Sequence, residues 1–295
     1  MIAAIIVVII GLSCLVLVVQ YIGPRMILMP DRRGPEFYQK RYGFSHPLDV
    51  GLKYQDGTLT TEDGLKLRYW VIDPAGCDRP KGTVIFLHGI TDSKVSGLGY
   101  ARELTRLCQK VYLLDMRSHG ESDGKYCTYG FFEKKDVSKL IDQIKSSDPD
   151  SKIALLGVSM GAAISIQAAA GDSRVDRVIA VAPFYDLFSI ALDHQARKIG
   201  LKSRLLLRLV IHRAEKIAGF KSSEVSPAKD IGRIHVPVMI VHGEKDRTVK
   251  KEYSTLLQNL NHGVRLLMIE GAGHVDVLEK GGSEYVQKLA EFLSS

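Results

Sequence analysis

The chain has 295 residues, of which 45% are hydrophobic and 25% are charged. This length and composition support a substantial core in one large domain or two small ones, and they exclude a mainly disordered chain. The net charge of +7 favours anionic partners such as membrane headgroups. The basic residues are spread along the chain without a helix-turn-helix, zinc spacing or aromatic-interleaved basic strand, so we expect no nucleic-acid partner.

The cysteines are too few in a chain of this length to indicate a disulfide framework, and no two of them form a CxxC pair. We therefore expect ordinary thiols at Cys14, Cys77, Cys108 and Cys127. Phosphate-cradling loops, dinucleotide fingerprints and metal-ligand clusters are also missing from the sequence, so no cofactor and no metal are expected.

The N-terminus is apolar. Uncharged sequence extends from Ile2 to Pro24, and about 22 residues at roughly 1.5 Å each can cross a hydrocarbon core of about 30 Å. A cleaved signal peptide is the alternative, but it would have a basic n-region and a small-residue cleavage site, which this sequence lacks. We predict a single transmembrane anchor over residues 1–23.

The residues after this span are basic. Two acidic residues, Asp31 and Glu36, oppose five basic ones, which are Arg25, Arg32, Arg33, Lys40 and Arg41. The positive-inside rule then places the bulk of the chain in the cytoplasm. Residues 24–57 show little periodicity and are expected to form a juxtamembrane connector that runs into an edge strand.

From residue 58 onward, short apolar runs alternate with helical patterns. The runs are Val84–Leu87, Val111–Leu114, Ile153–Leu156, Val178–Val181, Val238–Val241 and Leu266–Ile269. The helical stretches are Tyr100–Cys108, Lys134–Lys145, Met160–Ala170, Lys251–Leu260 and Glu284–Leu293. This alternation predicts an α/β domain over 58–295 with a mostly parallel central sheet flanked by helices. Leu65–Val71 alternates with period two and is expected to be an antiparallel strand at the start of the sheet.

A helical insertion, at about residues 184–230, interrupts this rhythm. Its apolar positions share one face of a helix, namely Leu206, Leu207, Val210, Ile211, Ala214, Ile217 and Ala218. The opposite face carries a basic row, Arg204, Arg208, His212 and Lys216. We expect a small cap over the carboxyl edge of the sheet. A lid that also meets the membrane surface or an acyl substrate is the alternative.

The strongest chemical signal is Gly157-Val158-Ser159-Met160-Gly161, which lies between an apolar strand and a helix of small residues. A nucleophilic serine needs this strand-to-helix turn, in which flanking glycines remove side chains that would clash. The following helix offers its N-terminal dipole and the Met160 N–H to a developing oxyanion. Ser159 is therefore the candidate nucleophile.

A serine hydroxyl needs a base, usually a histidine held by a carboxylate. Asp246 lies at the tip of the turn after the Val238 strand; Glu244 is the rival carboxylate in that turn. His274 follows the last strand in a glycine-flanked loop and is the candidate base. After the Val84 strand, His88-Gly89 orients a loop whose Ile90 N–H is a candidate second oxyanion donor.

Together these segments resemble the α/β-hydrolase superfamily, especially membrane-anchored serine hydrolases and prolyl-aminopeptidase-like enzymes. The matching segments are Leu87–Gly89, Asp115–Ser122, Gly157–Gly161, His242–Asp246 and Gly271–His274, in the family's order. The resemblance implies a triad of Ser159, Asp246 and His274, oxyanion donors at Ile90 and Met160, and a cap inserted after the Val178 strand. A serine nucleophile argues against the dehalogenase and epoxide hydrolase relatives, which use aspartate.

We therefore expect a membrane-anchored serine hydrolase that cleaves a carboxylic ester or thioester, with a small-molecule or lipid acyl substrate. A serine aminopeptidase-type peptidase is the enzymatic alternative, although the basic cap suits a free α-amine poorly. A non-catalytic membrane-tethered scaffold is a further alternative, and it predicts at least one broken triad position, which the sequence does not show.

Overall fold

The computed structural model describes residues 1–295 and contains one eight-stranded sheet. The strands are β1 (Gln55–Thr60), β2 (Lys66–Ile72), β3 (Gly82–Leu87), β4 (Gln109–Leu114), β5 (Ile153–Val158), β6 (Val175–Val181), β7 (Val238–Gly243) and β8 (Val264–Ile269). Their spatial order is β1-β2-β4-β3-β5-β6-β7-β8. β2 pairs antiparallel with β1 and β4, and all other pairs are parallel. The predicted fold class and the antiparallel strand at the start of the sheet are confirmed.

Helices connect the parallel strands and flank the sheet. They are α1 (Ile2–Leu17), α2 (Gly23–Leu28), α3 (Pro35–Tyr42), α4 (Leu98–Arg106), α5 (Glu133–Ser147), α6 (Met160–Ala169), α7 (Leu187–Ile199), α8 (Arg204–Ala218), α9 (Pro227–Asp230), α10 (Lys251–Leu260) and α11 (Val277–Ser294). Parallel strands need such crossovers, and right-handed crossovers cover both faces of the sheet.

The core lies on both sides of the sheet, as the continuous apolar runs require. Every residue of β3 is buried. Because side chains alternate along a strand, Ile85 and Leu87 pack with α5 and α6, whereas Val84 and Phe86 pack with α4 and α11. The sheet is thereby held rigid, and its strand ends are a fixed platform for loops.

The N-terminal helical stretch, Ile2–Leu28, is long and apolar enough to cross a membrane. Its most apolar 18-residue window has a mean hydropathy of 3.3, and none of that window is buried in the domain. A short π-helical turn, Val18–Ile22, joins α1 to α2. By length and composition this stretch is a candidate membrane anchor or a signal sequence.

Residues 24–57 pack onto the domain more closely than a connector implies. They contain α2, α3 and the start of β1, and the side chains of Leu28 and Tyr38 are each only 1% exposed. The Arg32 guanidinium donates to the carbonyl oxygens of Gly120, Ser122 and Gly124 at 2.9, 2.7 and 3.1 Å. This segment therefore ties the N-terminal helix to the loop after β4.

Cys77 and Cys108 form a disulfide, with their Cα atoms 6.1 Å apart. The expectation of four ordinary thiols is wrong for these two residues, while Cys14 and Cys127 are free. The pairing joins residues 31 positions apart. It arises because the neighbouring parallel strands β3 and β4 begin side by side, each shortly after one of the two cysteines. A spacing pattern cannot show such a contact.

The cap lies between β6 and β7, where the insertion was expected, and α7 and α8 form its main part. On α8 the buried side chains are Leu207, Val210, Ile211 and Ala214. The residues of the predicted basic row, Arg204, Arg208, His212 and Lys216, are all exposed.

Candidate active site

Four loops converge at the carboxyl edge of the parallel sheet, where α/β proteins bind their ligands. These loops follow β3, β5, β7 and β8, and they carry His88, Ser159, Asp246 and His274 respectively. The candidate residues are widely separated in the sequence, and the parallel arrangement brings their strand ends to one edge.

Ser159 occupies a strained turn between β5 and α6, with a φ of 55°. The two flanking glycines allow the backbone to pass very close to its neighbours. A Cβ at Gly157 would lie 2.1 Å from the Gly161 carbonyl oxygen, and a Cβ at Gly161 would lie 1.9 Å from the Leu87 carbonyl oxygen. A side chain at Gly157 would therefore push β5 away from α6, and one at Gly161 would push α6 away from the end of β3.

The loop after β3 lies beside Ser159, since a Cβ at Gly89 would be 3.6 Å from the Ser159 Cβ. The next N–H, that of Ile90, donates to no protein acceptor. Met160 is the first residue of α6, so its N–H has no acceptor within the helix. Two backbone N–H groups are thus available in the segments that adjoin the serine.

His88 holds this loop in place. Its Nδ1 donates to the Gly89 carbonyl oxygen at 2.8 Å, and its Nε2 accepts from the Met116 N–H at 3.1 Å. Burial, together with the neighbouring His119 and Lys94, keeps the pKa of His88 well below its ordinary value. A neutral imidazole with both nitrogens occupied positions the loop and has no role in proton transfer.

Asp246 lies at the centre of a hydrogen-bond network. Its Oδ2 accepts from His274 Nδ1 at 2.7 Å and lies 3.2 Å from His242 Nε2. Its Oδ1 accepts from the N–H groups of Thr248 and Val249 at 2.7 and 3.0 Å. Of the two carboxylates in this turn, Asp246 contacts His274, whereas Glu244 is exposed and makes no side-chain hydrogen bond.

These contacts control the charge of Asp246. Burial of the side chain opposes ionisation, but hydrogen bonds from His242, His274 and the Val249 N–H outweigh it and hold the pKa of Asp246 well below its ordinary value. The carboxylate is therefore ionised at neutral pH, and it fixes the proton of His274 on Nδ1 and leaves Nε2 as the acceptor.

No hydrogen bond joins Ser159 Oγ to His274 Nε2 in this structure, and neither atom has another partner. Catalytic hydrogen bonds are often long in unliganded enzymes and shorten when substrate binds. The His274 side chain is 13% exposed, so the imidazole borders the solvent side of the site.

Two histidines near this site were not identified from the sequence. His242 contacts Asp246 from the interior, and a histidine four residues before the acid was the only available signal. His194 lies on α7 of the cap, and its buried Nε2 has no hydrogen-bond partner. Burial, followed by the positive charges of Arg197 and Lys198, lowers the pKa of His194 to about 4. The cap thus carries a neutral imidazole with a buried, unpartnered nitrogen on α7.

The described residues contain no group of three or more His, Cys, Asp or Glu side chains placed to hold a metal ion.

Comparisons with known proteins show which chains are similar to this one. The family described as serine aminopeptidase, S33, matches residues 78–221. The uncharacterized protein YqkD of Bacillus subtilis is 30% identical over 218 residues, which are 72% of this chain and 71% of that protein. The monoglyceride lipase of Mus musculus is 37% identical over 122 residues, which are 40% of this chain and 39% of the lipase.

Among solved structures, the Pyrococcus furiosus esterase Pf2001 superposes with a TM-score of 0.71 and 27% sequence identity. The superposition covers 90% of this chain and 98% of the esterase. The fold and these sequence matches lead to one conclusion: the chain belongs to the α/β-hydrolase superfamily and is a hydrolase of the esterase and lipase type.

Proposed function

We propose that this protein is a membrane-anchored serine hydrolase that cleaves a carboxylic ester or thioester of an acyl or lipid substrate. The observation that carries the proposal is the 2.7 Å hydrogen bond from His274 Nδ1 to Asp246. It leaves Nε2 free at the sheet edge where Ser159 immediately precedes α6. A serine, an oriented histidine and an ionised aspartate are the groups with which serine hydrolases catalyse acyl transfer.

In this mechanism Ser159 Oγ attacks the acyl carbon while His274 Nε2 accepts the hydroxyl proton. The N–H groups of Ile90 and Met160 stabilise the oxyanion, and loss of one such donor typically costs about 10²–10³ in rate. His274 then protonates the leaving alcohol or thiol, which departs and leaves an acyl-enzyme. Water attacks this ester with His274 again as base, and the acid and free Ser159 are regenerated.

Three observations support an acyl substrate. The N-terminal helix is a candidate anchor, the cap combines apolar and basic side chains, and one relative is named a monoglyceride lipase. A substrate with an apolar chain partitions into the bilayer, so an anchored enzyme meets it at high local concentration.

The matching family's description favours an aminopeptidase as the second candidate. A pocket for a free α-amine needs an unpaired carboxylate near the site. All five carboxylates of the cap region already have partners within it or beside it, namely Asp186, Asp193, Glu215, Glu224 and Asp230. The cap therefore offers no free carboxylate to an α-amine, and the unpaired carboxylate nearest in sequence to the candidate triad is the exposed Glu244, two residues before Asp246.

The disulfide supports a proposal for the side of the membrane on which the domain lies. Disulfides persist in oxidising compartments, so the Cys77–Cys108 pair favours a domain outside the cytoplasm. Two of the five basic residues that favour the cytoplasm make contacts within the domain, since Arg32 binds three carbonyl groups and the Arg33 guanidinium lies 4.1 Å from the Phe37 ring centroid. We propose that the catalytic domain faces the oxidising side, opposite to the charge-based expectation.

The first test is labelling of the membrane-inserted protein with a fluorophosphonate probe. We expect the Ser159→Ala protein to lose labelling and the His274→Ala protein to label far more slowly. Ser165→Ala is the matched control, because Ser165 lies on the same helix with its hydroxyl bonded to the Gly161 carbonyl oxygen. Labelling that survives in Ser159→Ala would contradict the proposed nucleophile.

Substrate class is tested with monoacylglycerol, lysophospholipid, S-acylated peptide and long-chain nitrophenyl esters beside acetyl esters and aminoacyl amides. Faster turnover of the long-chain esters supports the acyl proposal. Preference for acetyl esters would contradict the acyl substrate, and preference for aminoacyl amides would support the peptidase.

A further inference from the structure

The end of the N-terminal helix packs directly against the cap. Val18–Ile22 and α2 both contact α8. The contact is close, because a Cβ at Gly23 would lie 2.6 Å from a Val210 methyl group. Ile27 packs against Leu207 and Ile211 of the same helix. The anchor and α8 therefore form one packed unit.

This packing fixes where α8 lies relative to a bilayer. About 20 helical residues cross a hydrocarbon core of about 30 Å. A span that starts near Ile2 has crossed the hydrocarbon core by about Tyr21, so α2 begins at the hydrocarbon boundary. Because α8 contacts the helix on both sides of this point, α8 lies at the membrane surface.

The outer face of α8 has the chemistry of such a surface. Leu205 and Leu209 are 70% and 43% exposed, and basic side chains surround them. The guanidinium groups of Arg204 and Arg208 lie 5.6 and 5.9 Å from the Phe188 ring centroid, and neither has a carboxylate within 4.0 Å. Lys216, further along the helix, also lacks an ion pair.

We propose that α8 is an interfacial helix that binds the anchor's own bilayer through anionic phospholipid headgroups. Leu205 and Leu209 enter the headgroup–acyl boundary, while Arg204, Arg208 and Lys216 bind lipid phosphates. A second copy of this chain is a poorer occupant, since a two-fold contact would bring the same unpaired cations together. This proposal rests on the anchor in the proposed function, and it makes the cap the part of the enzyme that faces the lipid.

The arrangement has a consequence for substrate entry. α7 precedes α8 in the cap and contacts the turn that carries Asp246, because the Arg197 guanidinium donates to the Arg247 and Thr248 carbonyl oxygens at 3.0 and 2.8 Å. An acyl chain that leaves the bilayer at α8 therefore needs to move only across the cap to reach the candidate site. The enzyme can take its substrate laterally from the membrane.

The test uses the full chain reconstituted in vesicles with a tryptophan reporter. Leu209→Trp places the reporter on the outer face of α8, and Leu260→Trp is the matched control at the far end of α10. The two leucines are 43% and 46% exposed. The native Trp70 is buried and adds the same background to both proteins. Vesicles contain phosphatidylcholine with about 30% phosphatidylglycerol, and some of the acyl tails are brominated.

We expect brominated lipid to quench the Leu209→Trp protein at least about twofold more than the Leu260→Trp protein, and aqueous acrylamide to show the reverse order. Adding Arg204→Gln and Arg208→Gln should reduce the lipid quenching in anionic vesicles but change it little in pure phosphatidylcholine. Equal quenching of both reporters would overturn the proposal. Protection of the Leu209→Trp reporter from acrylamide that depends on protein density, without quenching by lipid, would also overturn the proposal. That result would indicate that a second copy of the chain covers α8.

The outcomes separate the proposal from the function on which it rests. Failure of the protein to float with vesicles would contradict the anchor. Flotation without lipid quenching would contradict the interfacial role of α8 alone. Loss of fluorophosphonate labelling would bear on Ser159 and not on α8, because the fluorescence readout needs no catalysis.

Discussion

His242 Nε2 lies 3.2 Å from Asp246 Oδ2, the same oxygen that accepts the hydrogen bond from His274 Nδ1. The imidazole of His242 is fully buried, and its Nδ1 lies 2.7 Å from Ser254 Oγ. Its Nε2 faces two acceptors, Asp246 and the Val249 carbonyl oxygen at 3.1 Å, so this nitrogen carries the proton. His242 is therefore a positioning residue that holds the acid from the interior.

We expect His242→Leu to lower kcat by about tenfold with little change in KM, because Asp246 loses one of the hydrogen bonds that hold it in position to orient His274. His242→Gln should restore most of the loss, since its amide nitrogen can donate from nearly the same position. Steady-state kinetics on a soluble ester, with thermal unfolding of both variants, checks this. Equal losses in the two variants would indicate that the ring serves only packing.

The low pKa of Asp246 makes stability depend on pH. A carboxylate whose pKa is depressed in the folded state stabilises the fold above its unfolded pKa of about 3.8 and loses that contribution as the pH falls further. We expect Asp246→Asn to lower the free energy of unfolding by about 2 kcal/mol at pH 7. The difference from the wild type should shrink below about pH 4. Denaturant titrations across pH 3–7 measure it, and a gap that widens in acid would contradict the assignment.

Much of the fold follows from local sequence patterns. All six apolar runs form parallel strands. Five of the runs are fully buried and must be continuously apolar, a pattern that needs no tertiary information. The sixth lies in β8 at the sheet edge and is only partly buried. The loops of the site follow in turn, since the ends of parallel strands share an edge. Asp246 and His274, 28 residues apart in sequence, are joined by a hydrogen bond for this reason.

Other features depend on contacts that no local pattern records. The Cys77–Cys108 disulfide follows from the lateral position of two strands, and the contact of Gly23 with Val210 follows from where the N-terminal helix enters the domain. Arg32 was interpreted through its charge and its distance from the apolar span. In the structure its guanidinium binds carbonyl groups, a use that depends on the folded loop.

A methyl group added at a glycine of the serine turn should be far more damaging than one added at an open glycine elsewhere. Gly161→Ala introduces a methyl group 1.9 Å from the Leu87 carbonyl oxygen. We expect it to reduce the free energy of unfolding by about 3 kcal/mol and to abolish probe labelling of Ser159. Gly34→Ala is the control, because no atom lies within 4 Å of its new methyl group. That variant should stay within about 0.5 kcal/mol of the wild type.

Replacement of Arg32 should have a local effect on the loop after β4. Arg32→Gln removes a guanidinium that binds three carbonyl groups of residues 120–124. Because the side chain is largely exposed, we expect a loss of only about 1 kcal/mol in global stability. Amide hydrogen exchange should nevertheless accelerate in residues 117–124 and not in α5. Arg33→Gln is the control, and equal acceleration in that variant would contradict the role of Arg32.

The disulfide predicts the side of the membrane on which the domain lies. Intact cells are treated with a thiol reagent that cannot cross the membrane, before and after mild reduction. We expect Cys77 and Cys108 to be modified only after reduction, because they form a disulfide on the side of the membrane that the reagent reaches. Cys77→Ser leaves Cys108 as a free thiol that should react without reductant. Failure of Cys108 to react in that variant until the cells are lysed would place the domain in the cytoplasm and support the charge-based expectation.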